Sequence, residues 1–273
     1  MTFSSDGFPL TAAISPRVQV VESTDSTNAD VLRHVAEAPA DWPHLSLLLT
    51  NDQRAGRGRL DRTWVTPPGT ALAVSVLVDV TGLPAAARGW IPLIAGAAMT
   101  RAIGAQLTGS IHTATLKWPN DVLLDGQKVC GILAEVVPGR PDAVVVGAGV
   151  NTRMPRPDLP VTTATSFAVH GLTCDEDRLL ADYLGALDEQ LRALVAAGGD
   201  AGASGVQGEV EALCGTLGHD VAVSLPDGQT LWGRGHRIDP DGRLVIVQDD
   251  EYESVVSAGD VVHVRTRPST APD

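Results

Sequence analysis

The chain has 273 residues, 44% of them hydrophobic and 19% charged. That excludes a disordered or fibrous chain and predicts one large domain, or one large and one small. Twenty basic against 33 acidic residues give a net charge of −13. Such a surface repels a phosphate backbone and argues against general nucleic-acid binding, though not against one local basic site. No apolar run approaches the ~20 residues of a membrane span, and the N-terminal stretch lacks the basic start and apolar core of a signal peptide. Three widely spaced cysteines, Cys130, Cys174 and Cys214, predict neither a disulfide framework nor a zinc site. The expectation is a soluble protein of a reducing cytoplasm.

In chain order, residues 1–17 read as a polar, mobile arm. Val18 to Glu22 begins a short strand. Thr27-Asn28-Ala29-Asp30 reads as a helix start with Thr27 as cap, and Val31, Leu32 and Val35 follow at helical spacing. Leu45 to Thr50 is a buried strand, residues 51–63 a polar glycine-containing loop, and Ala71 to Val80 a valine-rich strand. Trp90 to Leu107 reads as a helix, with Pro92 tolerable only in its first turn. Thr113 to Trp118 is a strand. Val122 to Leu124 and Val129 to Val137 flank Asp125-Gly126 as a hairpin. Ala143 to Val150 is a strand, Pro155 to Pro160 a loop, and Asp175 to Ala196 a long helix. This order predicts an α+β fold, a mixed sheet flanked by helices. Ala197 to Gly208 is rich in glycine and small residues and reads as a linker. Beyond it, five short strands (221–225, 230–238, 244–247, 253–256, 261–264) with turns at Pro226-Asp227-Gly228 and Asp239 to Gly242 predict a small β-barrel. The expected organisation is an arm over 1–17, a main domain over 18–207, a second domain over 208–268 and a tail over 269–273. Residues 1–17 are too few for a helix-turn-helix.

Only two of the 20 basic residues are lysines, Lys117 and Lys128; the rest are arginine. A bias towards arginine explains most of the depletion. Lysine is nonetheless a compact, titratable charge that arginine cannot always replace, so this pair marks a place to look.

Three segments could carry chemistry. The loop 51–63 holds Arg54, Arg57, Arg59 and Arg62 against Asp52 and Asp61, four positive charges against two negative. Gly56 and Gly58 alternate with two of the arginines. Such a loop can gather backbone N–H groups and guanidinium forks on an oxyanion and close over it; an ordinary glycine-containing surface loop reads equally well. Lys117-Trp118-Pro119-Asn120-Asp121 places hard oxygen ligands beside a lysine, which suits Mg²⁺ with a phosphate; a packed Asn-Asp turn explains the segment taken alone. Gly147-Ala148-Gly149-Val150-Asn151 ends a strand whose glycines either admit a ligand ring or allow close packing. Ser26-Thr27-Asn28 offers polar groups at a helix start, where capping is a sufficient explanation for each.

In combination, these segments resemble the biotin protein ligases. The resemblance rests on Glu22 to Asn28, Gln53 with Ala55-Gly56-Arg57-Gly58-Arg59 and Trp64, Lys117 to Asp121, Lys128 with Gly131-Ile132-Leu133 and Glu135, and Gly147 to Asn151, in the family's order over about residues 18–152. It implies the class II synthetase-like catalytic fold of biotin and lipoate ligases, followed by an SH3-like barrel. It also implies two steps: biotin and MgATP give biotinyl-5′-AMP and pyrophosphate, and a lysine of a biotin carboxyl carrier domain of acyl-CoA carboxylase then attacks the adenylate.

Residue by residue, the resemblance puts Ser26, Thr27 and Gln53 on the ureido head of biotin with Asn28 beside them. Gly56, Arg57, Gly58 and Arg59 would close over valerate and phosphate. Lys128 would sit at the carboxylate, and Gly131, Gly147 and Gly149 would line the slot. Trp64, Lys117, Asn120 and Asn151 join Arg57 and Arg59 around the nucleotide. Asp121, with Asn120 beside it, would take Mg²⁺. Arg57, Lys117, Lys128 and Asp121 are thereby the expected catalytic set. Asp61 stands where the family often has glycine, and Cys130 where alanine is common. The N-terminal DNA-binding domain of the repressor-type members is missing, so a monofunctional enzyme is expected, monomeric or weakly dimeric, with no nucleic-acid or membrane partner. The competing readings are a lipoate–protein ligase, disfavoured because lipoyl lacks a ureido head, a non-catalytic biotin-sensing regulator, and a generic nucleotide-binding module.

Overall fold

A computed structural model describes residues 7–60, 62–64, 66–225, 228–257 and 259–263. Asp61, the Pro226-Asp227 turn and the expected tail at 269–273 lie outside the described residues. Twelve of the elements build the larger part of the chain: α1 (Pro9–Ala12), β1 (Val18–Val20), α2 (Thr27–Glu37), β2 (Leu47–Thr50), β3 (Gly56–Arg57), β4 (Thr63–Trp64), β5 (Leu72–Asp79), α3 (Trp90–Gln106), β6 (Ala114–Lys117), β7 (Asp121–Leu124), β8 (Gln127–Val137) and β9 (Arg140–Val150). Then come α4 (Glu176–Ala196), α5 (Val206–Leu213) and five strands, β10 (Asp220–Ser224), β11 (Thr230–Ile238), β12 (Leu244–Val247), β13 (Glu253–Val256) and β14 (Asp260–His263).

Seven strands form one sheet in the order β1-β2-β5-β9-β8-β7-β6. β1 and β2 run parallel and the other neighbours antiparallel, so the sheet is mixed as expected. Side chains alternate across a strand with period two, and β5 and β9 are buried on both faces. One parity, Leu72, Val74, Val76 and Val78 of β5 with Val144, Val146, Ala148 and Val150 of β9, enters the main core with α3 and α4. The opposite parity meets α2. There Leu77 and Val145 pack with Val31, Val35 and Trp42 in a second, smaller cluster. Further along that face the side chains shrink to Ala73, Ser75, Gly147 and Gly149, and a helix can no longer fill the space.

Two expectations about local structure need correction. The cap of α2 is Ser26, whose hydroxyl accepts from the Ala29 amide, and Thr27 is already helical. Nor are residues 9–12 a mobile arm. They form α1, with Pro9 in the first turn, and the Asp177 carboxylate of α4 accepts from the Leu10 and Thr11 amides at 2.9 and 2.8 Å. An acid supplied from another helix satisfies the exposed N–H groups of this one.

The expected linker at 197–208 is also shorter than predicted. It ends in α5, which starts at Val206 behind Gly205 in a left-handed conformation (φ 82°) and packs on α3 and α4. The five C-terminal strands form an antiparallel sheet in the order β13-β12-β11-β10-β14. Val221, Val223, Ile238, Leu244 and Ile246 join the same apolar core as the larger sheet. Two buried tryptophans fasten the turn after β11: the Trp90 indole donates to the Pro240 carbonyl at 2.8 Å and the Trp118 indole to Gly242 at 3.1 Å. Among the described residues no helix is long and apolar enough to cross a membrane.

His263 at the end of β14 lies 3.3 Å from Thr216 Oγ1 and within reach of the charge of Lys117 on β6. Burial, then the charge of Lys117, then His219 lower its pKa to about 4. Its unfolded value is near 6.5. Between those values the unfolded chain takes a proton that the folded chain refuses, so stability falls as pH drops through this window. The urea midpoint is expected to decrease between pH 7 and 4.5, and to decrease less in His263→Gln. Equal slopes for the two proteins would remove His263 as the cause.

Candidate active site

A cavity of about 130 Å³ opens on the α2 face of the sheet, many times the ~10–15 Å³ that one water needs. Its floor is set by register. Ala73, Gly149 and Gly131 lie side by side across β5, β9 and β8, and Ser75, Gly147 and Leu133 form the next row. A Cβ on Gly147 would stand 2.2 Å from Asn28 Oδ1, and one on Gly149 2.5 Å from the Trp64 ring. These glycines therefore exist for close approach, but the groups they admit belong to this chain. The ring over Gly149 and Gly131 is the indole of Trp64, whose buried Nε1 has no hydrogen-bond partner among the described residues.

The polar end is a connected network. Gln53 Oε1 accepts from the Thr27 amide at 2.9 Å and the Thr27 hydroxyl at 3.1 Å. Ser75 Oγ lies 2.7 Å from Thr27 Oγ1 and donates to Asn28 Oδ1 at 2.5 Å. The Asn28 amide donates to Glu135 at 2.7 Å, and Arg57 reaches the same carboxylate oxygen at 3.0 Å. The start of α2 is thus tied through Glu135 of β8 to Arg57 of the arginine loop. Gly56 is outside the lining; a Cβ there would clash with Gln53 Nε2 at 2.3 Å, so its absence makes room for the Gln53 amide.

The loop itself is a hairpin. Gly56 pairs with Trp64 and Arg57 with Thr63, which turns Trp64 inward. Arg59 donates to Asn120 Oδ1 at 3.0 Å. The Arg57–Glu135 pair is half exposed on the arginine side, the class of ion pair worth ~0–1 kcal/mol, so it is a latch that opens easily.

Lys128 reaches the site through a β-bulge. Val122 pairs with Cys130 but Leu123 with Lys128, leaving Val129 as the extra residue. Without it Lys128 and Gly131 would point to opposite faces; with it both face the cavity, a common use of bulges beside functional sites. The Lys128 ammonium lies 2.5 Å from Asp121 Oδ1 and 5.7 Å from the Trp64 ring centre. Lys117 lies 4.0 Å from Asp121 Oδ2. The chain's two lysines therefore share one carboxylate.

That sharing bears on the expected metal ligands. Both oxygens of Asp121 face ammonium groups, Asn120 Oδ1 accepts from Arg59, and its amide donates to the Ile132 carbonyl at 2.7 Å. Asp121 Oδ1 is taken by Lys128 while Oδ2 stands 4.0 Å from Lys117, so a Mg²⁺ brought in with a phosphate would share this one carboxylate with two ammonium groups. Two further expected residues stand outside the cavity. Lys117 stands beside Asp121 on the next strand outward, and Asn151 is buried with its amide on the Thr165 carbonyl at 2.9 Å. Cys130 is fully buried and burial pushes its thiol pKa up, so it is a core residue and not a nucleophile.

Arg62 and Leu133 also line the site and Glu135 and Ser75 brace it; the first three fall in the segments singled out above but carry no assigned role there, and Ser75 lies outside them. Ser75 carried a signal, being the only polar residue inside the apolar run 72–78.

The family model for biotin/lipoate A/B protein ligases matches residues 20–151. The biotin–[acetyl-CoA-carboxylase] ligase of Mycobacterium tuberculosis is 37% identical over 250 residues, 91% of this chain and 90% of that protein. This chain belongs to the biotin protein ligase family. The bifunctional ligase/repressor BirA of Escherichia coli is 30% identical over 85% of this chain and 70% of its own length. The same fold is seen in the Aquifex aeolicus biotin protein ligase solved with biotin and ATP, with a TM-score of 0.72 and 22% identity over 91% of this chain and 99% of that one. All the biotin-ligase motifs quoted above, from Glu22 to Asn151, coincide with the matched segment.

Proposed function

We propose that this biotin protein ligase activates biotin with ATP and transfers it to one lysine of a biotin carboxyl carrier domain of acyl-CoA carboxylase. The observation that carries the reading is one cavity that joins the Gln53–Thr27–Ser75–Asn28 network at one end to Lys128 and Arg59 at the other, with Arg57 held by Glu135 beside Asn28. A fused-ring ligand with one ureido edge needs a few fixed donors and acceptors at its head. Its carboxylate then falls towards the cationic end.

In the first step a carboxylate oxygen of biotin attacks the α-phosphorus of ATP. An O–P bond forms, the bond to the bridging oxygen breaks, and pyrophosphate leaves. Both reactants are anionic, so Lys128, Arg57 and Arg59 stabilise the charge that gathers in the transition state. Mg²⁺ enters with ATP as part of the substrate. Asp121 holds Lys128 against Gly131 in position for the carboxylate. In the second step the carrier's ε-amine attacks the acyl carbon, an amide forms, AMP leaves, and the amine gives up its proton. The small C-terminal β-sheet is read as the SH3-like barrel of the family. A lipoate–protein ligase is disfavoured by the polar head network, because a dithiolane ring offers it no partners.

The test is carrier labelling in the presence of biotin and ATP, with one biotin expected on one carrier lysine. Gly147→Ala is expected to raise the biotin KM at least tenfold while changing kcat far less, because its Cβ would displace Asn28 from Ser75. An unchanged KM would remove the head network from biotin recognition.

A further inference from the structure

Away from the cavity, three side chains that the ligase reaction does not use converge beside the β7–β8 turn. His112 precedes β6, Asp125 sits in the turn with φ 49°, and His170 ends a short 3-10 helix at Ala168–His170. His112 Nδ1 lies 2.6 Å and His170 Nδ1 3.6 Å from the same oxygen, Asp125 Oδ2. The two rings meet edge to face at 4.9 Å. One donor atom from each residue falls within 4.8 Å of the other two, a group of three nitrogen and oxygen ligands.

We propose that His112, Asp125 and His170 form a binding site for a divalent first-row transition-metal ion, with Zn²⁺ as the fitting class. Around a tetrahedral Zn²⁺ with bonds of ~2.0–2.2 Å, ligand atoms stand roughly 3.4 Å apart. The His170–Asp125 distance already has that spacing, and the His112–Asp125 contact must open by less than an ångström. Two neutral imidazoles and one carboxylate suit Zn²⁺ and leave a fourth position for water.

The outer contacts are those of a ligand set. His170 Nε2 pairs with Thr165 Oγ1 at 2.9 Å, which fixes the ring and leaves Nδ1 facing Asp125. Asp125 Oδ1 accepts from the Thr113 amide at 2.9 Å, which leaves Oδ2 for the cluster. Such second contacts orient metal ligands and are worth 10–100-fold in affinity. The cluster also touches the ligase site through the backbone. The Lys128 amide donates to Thr163 and the Thr165 amide to Lys128, both at 2.8 Å. A metal ion here would clamp the 163–170 segment onto the strand end that carries Lys128.

The experiment is calorimetric titration of the EDTA-treated full chain with ZnCl₂, repeated with CoCl₂ while recording visible absorption. One Zn²⁺ per chain is expected, together with the strong visible bands of four-coordinate Co²⁺ and a rise in Tm on adding Zn²⁺. His170→Ala and Asp125→Asn should each weaken binding at least 100-fold, and Thr165→Val 10–100-fold. His236→Ala, at an exposed histidine elsewhere, should leave it unchanged. If Asp125→Asn or His170→Ala fails to fold, judged by circular dichroism without metal, Thr165→Val decides. No saturable Zn²⁺ binding, or binding that Thr165→Val and the ligand variants leave intact, would overturn the site and reduce it to a hydrogen-bonded His-Asp-His cluster. Neither result bears on biotin activation, which is measured separately.

Discussion

Replacing Lys128 by alanine is expected to slow formation of biotinyl-adenylate by about 10²–10³-fold while changing biotin affinity less than tenfold. The ammonium stands where two anions must meet, and its charge matters most as the acyl–phosphate bond forms. Arginine should not restore the rate. The Lys128 Nζ lies only 3.1 Å from where a Cβ on Gly131 would be, and a planar guanidinium does not reproduce the compact charge that an ammonium places there. Loss of Lys128 also leaves Asp121 facing Lys117 alone, at 4.0 Å. If the loss of that partner on Asp121 caused the defect, adding Asp121→Asn would repair it; the expectation is that it does not. The check is single-turnover quenching of adenylate formation, and an unchanged rate in Lys128→Ala would remove the residue from the chemistry.

Arg59→Gly is expected to release the adenylate about 10–100-fold faster. Arg59 closes the hairpin on Asn120, and beside a bound phosphate it would make a charge-assisted contact worth ~1.5–3 kcal/mol. The other latch, Arg57–Glu135, is too exposed to hold the loop shut alone. A leaking acyl-adenylate labels amines at random. This chain offers only Lys117 and Lys128, both partly buried and both directed at Asp121, besides its α-amine. The variant should therefore label itself little and a lysine-rich bystander such as albumin heavily on a streptavidin blot. A silent bystander would refute the clamp, and heavy labelling of either lysine would contradict their placement.

Much of this site is legible in the sequence because its parts are local. The arginine loop, the Lys117 to Asp121 turn and the glycines at 147 and 149 each announce close approach or charge within a few residues. What is hidden depends on strand partners. Ser75 looks like a blemish in a buried strand until register sets it beside Gly147 and under Asn28. The Val129 bulge cannot be read from residue types, yet it alone turns Lys128 to the cavity. Asp121 looks like a hard metal ligand, and only the fold brings both lysines to it. The helix α5 escapes because it is short and Gly208 in its interior depresses its propensity, and its stability comes from packing on α3 and α4. Likewise α1 depends on Asp177, 166 residues away along the chain from Thr11.

The most direct test of the account is ATP–pyrophosphate exchange by the purified chain with biotin against lipoate at equal concentration. The head network and the cationic end together predict exchange that depends on biotin, with lipoate at or near background, and a rise in the biotin requirement when Gly147 becomes alanine. Exchange driven equally well by lipoate, or exchange with biotin that persists undiminished in Lys128→Ala, would contradict it.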